Sequence, residues 1–157
     1  MVLTGRAHRF GDDVNTDYII SGRYKFKTLD MKELARHVME DLDPDFYSRL
    51  EEGDFLVAGG NFGCGSSREQ APLALKHAGV AAVLAGSFAR IYFRNSINNG
   101  LPALSCDTSG IENGDRLEVD LEAGVVRNIT RGVELECSPL PAVMLEILNR
   151  GGGLPPT

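Results

Sequence analysis

Cysteine, histidine, cationic residues and long apolar runs are all scarce in this chain. The three cysteines, Cys64, Cys106 and Cys137, stand far apart and form no Cys-x-x-Cys pair. That usage fits reduced thiols. It supplies neither a disulfide framework nor a zinc or iron–sulfur cage built by this chain alone. Only three histidines are present, His8, His37 and His77. No apolar run approaches the ~20 residues that span a bilayer. The first residues, Met1-Val2-Leu3-Thr4-Gly5-Arg6, carry no apolar core of a secretory signal, so the cytoplasm is the expected compartment. Lys and Arg total 16 against 22 Asp and Glu, a net charge of −6 with a pI near 5.0. That balance argues against non-specific nucleic-acid binding. There is no internal repeat.

The chain does have the size and apolar content for a core: 157 residues, 43% of them apolar. This suits one domain. The expected division is a single domain over 1–150 and a flexible tail over 151–157, Gly151-Gly152-Gly153-Leu154-Pro155-Pro156-Thr157.

The stretch around which everything else is arranged is Gly59-Gly60-Asn61-Phe62-Gly63-Cys64-Gly65-Ser66-Ser67-Arg68-Glu69-Gln70. An apolar strand, 55–58, leads in and a helical pattern, 69–78, leads out to Gly79, a left-handed stop. Glycines allow sharp turns and close approach of the backbone to a ligand. Two serines and an arginine then stand at an expected helix start, where unpaired N–H groups and the macrodipole favour an anion.

Further on, 80–85 is a continuous apolar run that reads as a buried parallel strand. Ser87 is the expected cap of a second helix, 88–98, closed by Asn99-Gly100. Residues 101–105 make a third strand. The core is therefore a right-handed parallel βαβαβ unit. Residues 116–121 and 125–129 alternate as a β-hairpin, and 133–136 reads as a further strand. A C-terminal helix over 139–150 is expected to turn Val143, Ile147 and Leu148 inward. Before the core, 5–10 reads as strand or loop, and the Asp/Asn/Thr cluster 12–17 as a turn. Residues 30–41 read as a helix capped by Asp30, ended by Asp43-Pro44-Asp45.

Several readings of the glycine loop compete. Gly60-x-x-x-x-Gly65-Ser66-Ser67 has P-loop spacing without the lysine that reaches the β- and γ-phosphates. Gly63-x-Gly65-x-x-Arg68 puts arginine where a dinucleotide fingerprint needs its third glycine. A G-x-S-x-G elbow fails at Glu69. His77 lies roughly 15 Å along the helix from Ser66, which excludes a local Ser–His pair, although His8 or His37 could approach in space. A carboxylate site fits better: hydroxyls from Ser66 and Ser67, helix-start N–H groups, and the planar fork of Arg68. The bland alternative is a capping box, Ser66-x-x-Glu69, with Arg68 merely solvated. Cys64 is either a nucleophile activated by the helix start or a buried thiol.

Gly60 to Ala71, Gly86-Ser87-Phe88-Ala89-Arg90-Ile91-Tyr92 and Asn98-Asn99-Gly100-Leu101-Pro102 together resemble the swivelling domain of the aconitase superfamily. Asn15-Thr16-Asp17 and Asp43-Pro44-Asp45-Phe46 fit the same pattern. As a free-standing chain it resembles the isopropylmalate isomerase and homoaconitase small-subunit family. The resemblance implies an α/β swivelling β/β/α fold. It also implies a hydro-lyase subunit acting on a hydroxy-dicarboxylic acid, active only with a large subunit that carries a 4Fe–4S cluster. No cofactor or metal is expected on this chain. Ser66 aligns with the family's catalytic base, Ser67 and Arg68 with substrate-carboxylate contacts beside Gly65, and Asp17 with a supporting acid.

Residues 23–28 align with the specificity loop. There Lys25 and Lys27 suit an extra carboxylate, and Phe26 suits an isopropyl group. Read without the resemblance, the same segment is either a lysine-protected strand edge or a loop lending cations to an anion. The alternatives that stay open are homoaconitase or a dimethylmalate/citraconate-type hydratase, a non-catalytic carboxylate-binding module, and a thiol enzyme using Cys64. The isolated chain could also self-associate.

Overall fold

The computed structural model describes residues 2–24 and 30–152. The apolar runs become β2 (Phe55–Ala58) and β3 (Ala82–Ala85), buried at every position, because helices cover both faces of this part of the sheet. β4 (Ala103–Ser105) follows, and the three strands lie parallel, with Phe55 opposite Ala82 and Val83 opposite Ala103. The crossovers are α4 (Gln70–Ala78) and α5 (Arg90–Asn98), with Gly79 left-handed as α4's stop. The expected βαβαβ core is present.

β1 (Val2–Arg9) joins that core to a second region. Its later residues pair in parallel with β2, and its earlier residues pair antiparallel with β5 (Arg116–Asp120). It begins at Val2, three residues before the start read from the sequence, and is a central strand. β6 (Val125–Asn128) and β7 (Val133–Glu136) complete the expected antiparallel set. The seven strands form one mixed sheet in the order β4-β3-β2-β1-β5-β6-β7. The sheet curls until its edges touch. Cys106, just past β4, pairs with Cys137, just past β7, and the Ser138 N–H donates to the Ser105 carbonyl at 2.9 Å.

Two apolar clusters result. One packs Leu34, Met39, Phe46 and Leu75 over Leu56 and Phe62; the other packs Ile147 and Ile97 with Leu104, Leu117 and Val126. The short elements α1 (Thr16–Ile19), α2 (Met31–Ala35) and α3 (Phe46–Arg49) supply the first cluster.

Three local expectations change. The turn read at 12–17 is in part α1, capped by the Asn15 side chain, which accepts from Asp17 N–H. The helix read over 30–41 is only α2. Asp30 does cap it, but Met39 sits in the left-handed region at φ 61° and turns its N–H to the Ile19 carbonyl. The last helix is α6 (Ala142–Asn149); Ile147 is buried while Val143 is 57% exposed, so its inward stripe is narrower than expected. Of the stretch read as a tail, Gly151 accepts from Lys76 Nζ and Gly152 donates to Ile147; residues 153–157 lie outside the described set.

Candidate active site

The glycine loop is woven to two other loops, all leaving the same ends of neighbouring parallel strands, where open α/β sheets bind ligands. The chain after β1 runs beside it. Gly59 N–H donates to Gly11, Asp13 N–H to Gly60, Gly63 N–H to Val14 and Thr16 N–H to Cys64. The Asp12 carboxylate accepts from Gly60 N–H at 2.8 Å, and the Thr16 hydroxyl donates to the Ser66 carbonyl at 2.7 Å. The chain after β3 closes the other side, with Phe62 N–H donating to Ser87 and Ala89 N–H to Phe62.

The glycines are explained by this weaving. Gly63 and Gly65 both have positive φ, 83° and 93°. A Cβ on Gly63 would fall 2.2 Å from the Tyr92 ring, and one on Gly65 would fall 2.6 Å from the Asn15 amide. The close approach expected for a ligand is, at these positions, an approach of the chain to itself.

Between the loops opens a cleft of about 400 Å³. Thr16, Gly65, Ser66, Ser67 and Arg68 form one wall and Ala89 to Tyr92 the other. Ser66 is exposed, and its hydroxyl has no hydrogen-bond partner among the described residues. Ser67 Oγ accepts from Asn95 Nδ2 at 3.3 Å. The Arg68 side chain is 11% exposed; its Nη2 lies 2.6 Å from Asp17 Oδ1, and its Nη1 donates to the Ile20 carbonyl at 3.5 Å. Asp17 thus reaches the site through Arg68. Lys25, Phe26 and Lys27 lie outside the described residues.

The helix end that faces the cleft differs from the one expected. α4 starts at Gln70, and no side chain caps it, so the Ser66–Glu69 capping box does not form. The end that opens on the cleft is that of α5. Ala89 is extended, no side chain caps the helix, and the leading residues Arg90, Ile91 and Tyr92 line the wall. Ser87, expected as the cap, instead accepts from Asn61 N–H at 2.8 Å and helps hold the glycine loop. Free N–H groups at a helix start carry about half a positive charge. This anion-favouring end, with Arg90, Tyr92 and Asn95, was missed in the sequence because Ser87 looked like a cap that would have occupied it.

Other chemistries find no partner here. The cleft's described lining holds no histidine. His8 Nε2 lies 2.7 Å from Asp54, His37 lies against Tyr24 and Glu40, and His77 bonds Leu73. Cys64 is half-buried and not in the cleft wall. Among the described residues no group of three His, Cys, Asp or Glu side chains is placed to hold a metal ion, and no helix is long and apolar enough to cross a membrane. Behind the wall, the Tyr92 hydroxyl is buried near Ser96 with no completed hydrogen bond among the described residues, and burial pushes its pKa above the ordinary range.

The family model for the aconitase C-terminal domain matches residues 21–109, which takes in the glycine loop, Ser66 to Arg68 and the start of α5. The chain belongs to the aconitase C-terminal domain family. Within it, the "3-isopropylmalate dehydratase small subunit 2" of Archaeoglobus fulgidus is 60% identical over 97% of this chain and 92% of its own length. The methanogen homoaconitase small subunit of Methanothermobacter thermautotrophicus is 53% identical over 96% and 88%. The crystal structure of 3-isopropylmalate dehydratase (leuD) from Methanocaldococcus jannaschii superposes with a TM-score of 0.93 at 47% identity, covering 97% of this chain and 90% of that one. The fold of that solved chain thus extends over nearly the whole of this one.

Proposed function

We propose that this aconitase C-terminal domain is the small subunit of a hydro-lyase of the 3-isopropylmalate dehydratase type, working with a large subunit in the cytoplasm. The reaction converts 2-isopropylmalate to 3-isopropylmalate by loss and re-addition of water, a step of leucine biosynthesis. The observation that carries the reading is the Ser66 hydroxyl, without a partner among the described residues, in one cleft with Arg68 and the uncapped start of α5, in a chain 60% identical to such a small subunit.

Each residue then has a task. Ser66 takes the proton from the carbon next to a substrate carboxylate. A serine hydroxyl is a weak base in water, and its anion needs fixed donors around it. The α5 N–H groups supply most of that field, since Asp17 offsets much of the Arg68 charge. Ser67 and Arg68 hold the carboxylate, the arginine through its planar fork. Asp17 fixes the orientation of Arg68. In this reading Lys25, Phe26 and Lys27 meet the group that varies between substrates. The 4Fe–4S cluster belongs to the large subunit. The described residues fit no such cluster, since Cys64 stands alone and Cys106 and Cys137 face each other at the sheet's closing edge. When bound there, the cluster supplies a Lewis acid for the leaving hydroxyl.

The test is co-purification with the large subunit and assay across isopropylmalate, homoaconitate, citraconate and dimethylmaleate. Turnover is expected only in the reconstituted complex. Ser66→Ala is expected to lower kcat there by about 10²–10⁴-fold. Activity that survives this change removes Ser66 from its role. Tight dicarboxylate binding without a partner, and no turnover with one, would instead favour a simple binding module. The homoaconitase small subunit at 53% identity keeps a longer dicarboxylic substrate as the second reading.

A further inference from the structure

The cleft has two arginines, and they are in opposite electrical states. Arg68 is nearly buried and already neutralised by Asp17 at 2.6 Å. Arg90 is exposed, lines the facing wall, and has no ion pair or hydrogen bond for its side chain among the described residues. Arg6, Arg36, Arg94 and Arg116 are likewise without a side-chain partner among the described residues, but of these free arginines only Arg90 lines the cleft. A hydroxy-dicarboxylate enters with two negative charges. The Arg68–Asp17 pair is close to neutral as a unit, so it orients one carboxylate but leaves the second uncompensated.

Arg90 is the first residue of α5, whose uncapped N–H groups follow it along the same wall. The spacing of the walls is fixed. Asn95, one turn further along α5, donates to Ser67 across the cleft, and Gly63 packs against Tyr92 of that helix.

We infer that Arg90 binds the second carboxylate of the substrate, opposite the one held by Ser67 and Arg68, and so makes the site selective for dicarboxylates. The inference rests on the hydro-lyase reading above and gives a role to Arg90, which stands in one of the family-like segments but had no site role from the sequence. An arginine here can grip a carboxylate through two N–H groups, which a lysine cannot.

The test uses the reconstituted complex with Arg90→Gln and Arg90→Lys. Loss of one charge-assisted contact predicts a KM for the dicarboxylic substrate raised by about 10- to 100-fold in Arg90→Gln, with a smaller change in kcat. Arg90→Lys should recover part of that loss. Inhibition by succinate should weaken in parallel, while inhibition by the monocarboxylate lactate stays as it was. The concentration of large subunit giving half-maximal activity should not move.

An unchanged KM overturns the inference, as does equal weakening of succinate and lactate. So does a loss that disappears at saturating large subunit, which would make Arg90 a docking residue. If no hydroxy-acid is turned over at all, the hydro-lyase reading fails by itself. The full chain titrated with succinate then decides Arg90 separately. Amide shifts at Arg90 to Tyr92 that vanish in Arg90→Gln support the site, and shifts confined to Ser66–Arg68, or none, overturn it.

Discussion

Among the described residues, Tyr92 is the one whose buried side-chain polar atom lacks a hydrogen bond. It is 3% exposed, stacked on Phe88 and edge-on to Phe62, and its hydroxyl, with Ser96 as its polar neighbour, completes no hydrogen bond among the described residues. An unsatisfied buried hydroxyl costs free energy that a phenylalanine would not. Tyr92→Phe is expected to raise stability by about 1 kcal/mol in urea unfolding near pH 7. Burial also holds the phenol protonated in the folded state, above its ordinary value of 10.0. The stability is therefore intact below pH 10 and falls as the pH rises beyond it, because only the unfolded chain ionises there. In Tyr92→Phe that alkaline decline should be shallower. A destabilised variant would show that the hydroxyl has a partner after all. At this scale the sequence displayed the reactive residues, since Ser66, Ser67 and Arg68 are adjacent. It hid Tyr92's burial and Arg90's freedom, because both depend on what faces them.

At the scale of elements, Ser87 shows how a sequence signal can be right in kind and wrong in object. A serine before a helical pattern normally accepts from the helix's own N–H groups. Here two residues separate it from α5, and its hydroxyl accepts from Asn61 N–H instead. Asn61 is itself left-handed at φ 56°, so the bond holds a strained residue in place. Ser87→Ala is expected to leave the helix content of α5 unchanged by circular dichroism. It should cost about 1 kcal/mol of stability and lower turnover through a loosened glycine loop. Loss of helix signal would restore Ser87 as a cap. The strands β2, β3 and β4 were legible to within two residues because continuous apolar runs between glycines have few other uses. The short elements α1 and α2 were not. Their lengths are set by tertiary bonds such as Met39 N–H to Ile19, which no local window contains.

At the scale of the molecule, two buried carboxylates fasten the sheet and set its response to acid. Burial alone would raise the pKa of Asp54, yet hydrogen bonds from His8 and from the Arg6 and Glu51 N–H groups outweigh it and hold it below 3.8. Asp115 follows the same pattern, raised by burial and lowered further by Asn128, Glu112 N–H and Arg131. A depressed carboxylate contributes stability that is present above its unfolded value and is lost as the pH falls through its folded one. Stability should therefore drop below about pH 4. Asp54→Asn should cost about 3 kcal/mol near neutrality and flatten the acid slope in denaturant titrations. An unchanged slope would place the acid sensitivity elsewhere.

The sequence by itself determined the alternation of strands and helices, the family, and the serine–serine–arginine run, because each is carried by residues adjacent along the chain. Only the tertiary structure decided which helix end faces the cleft, that Asp17 occupies Arg68 while Arg90 stays free, and that the glycines accommodate Tyr92 and Asn15. Those facts join residues tens of positions apart. They follow from loops of three neighbouring strands converging on one edge of the sheet, where burial and unpaired charge are properties of the assembled fold and of no single segment.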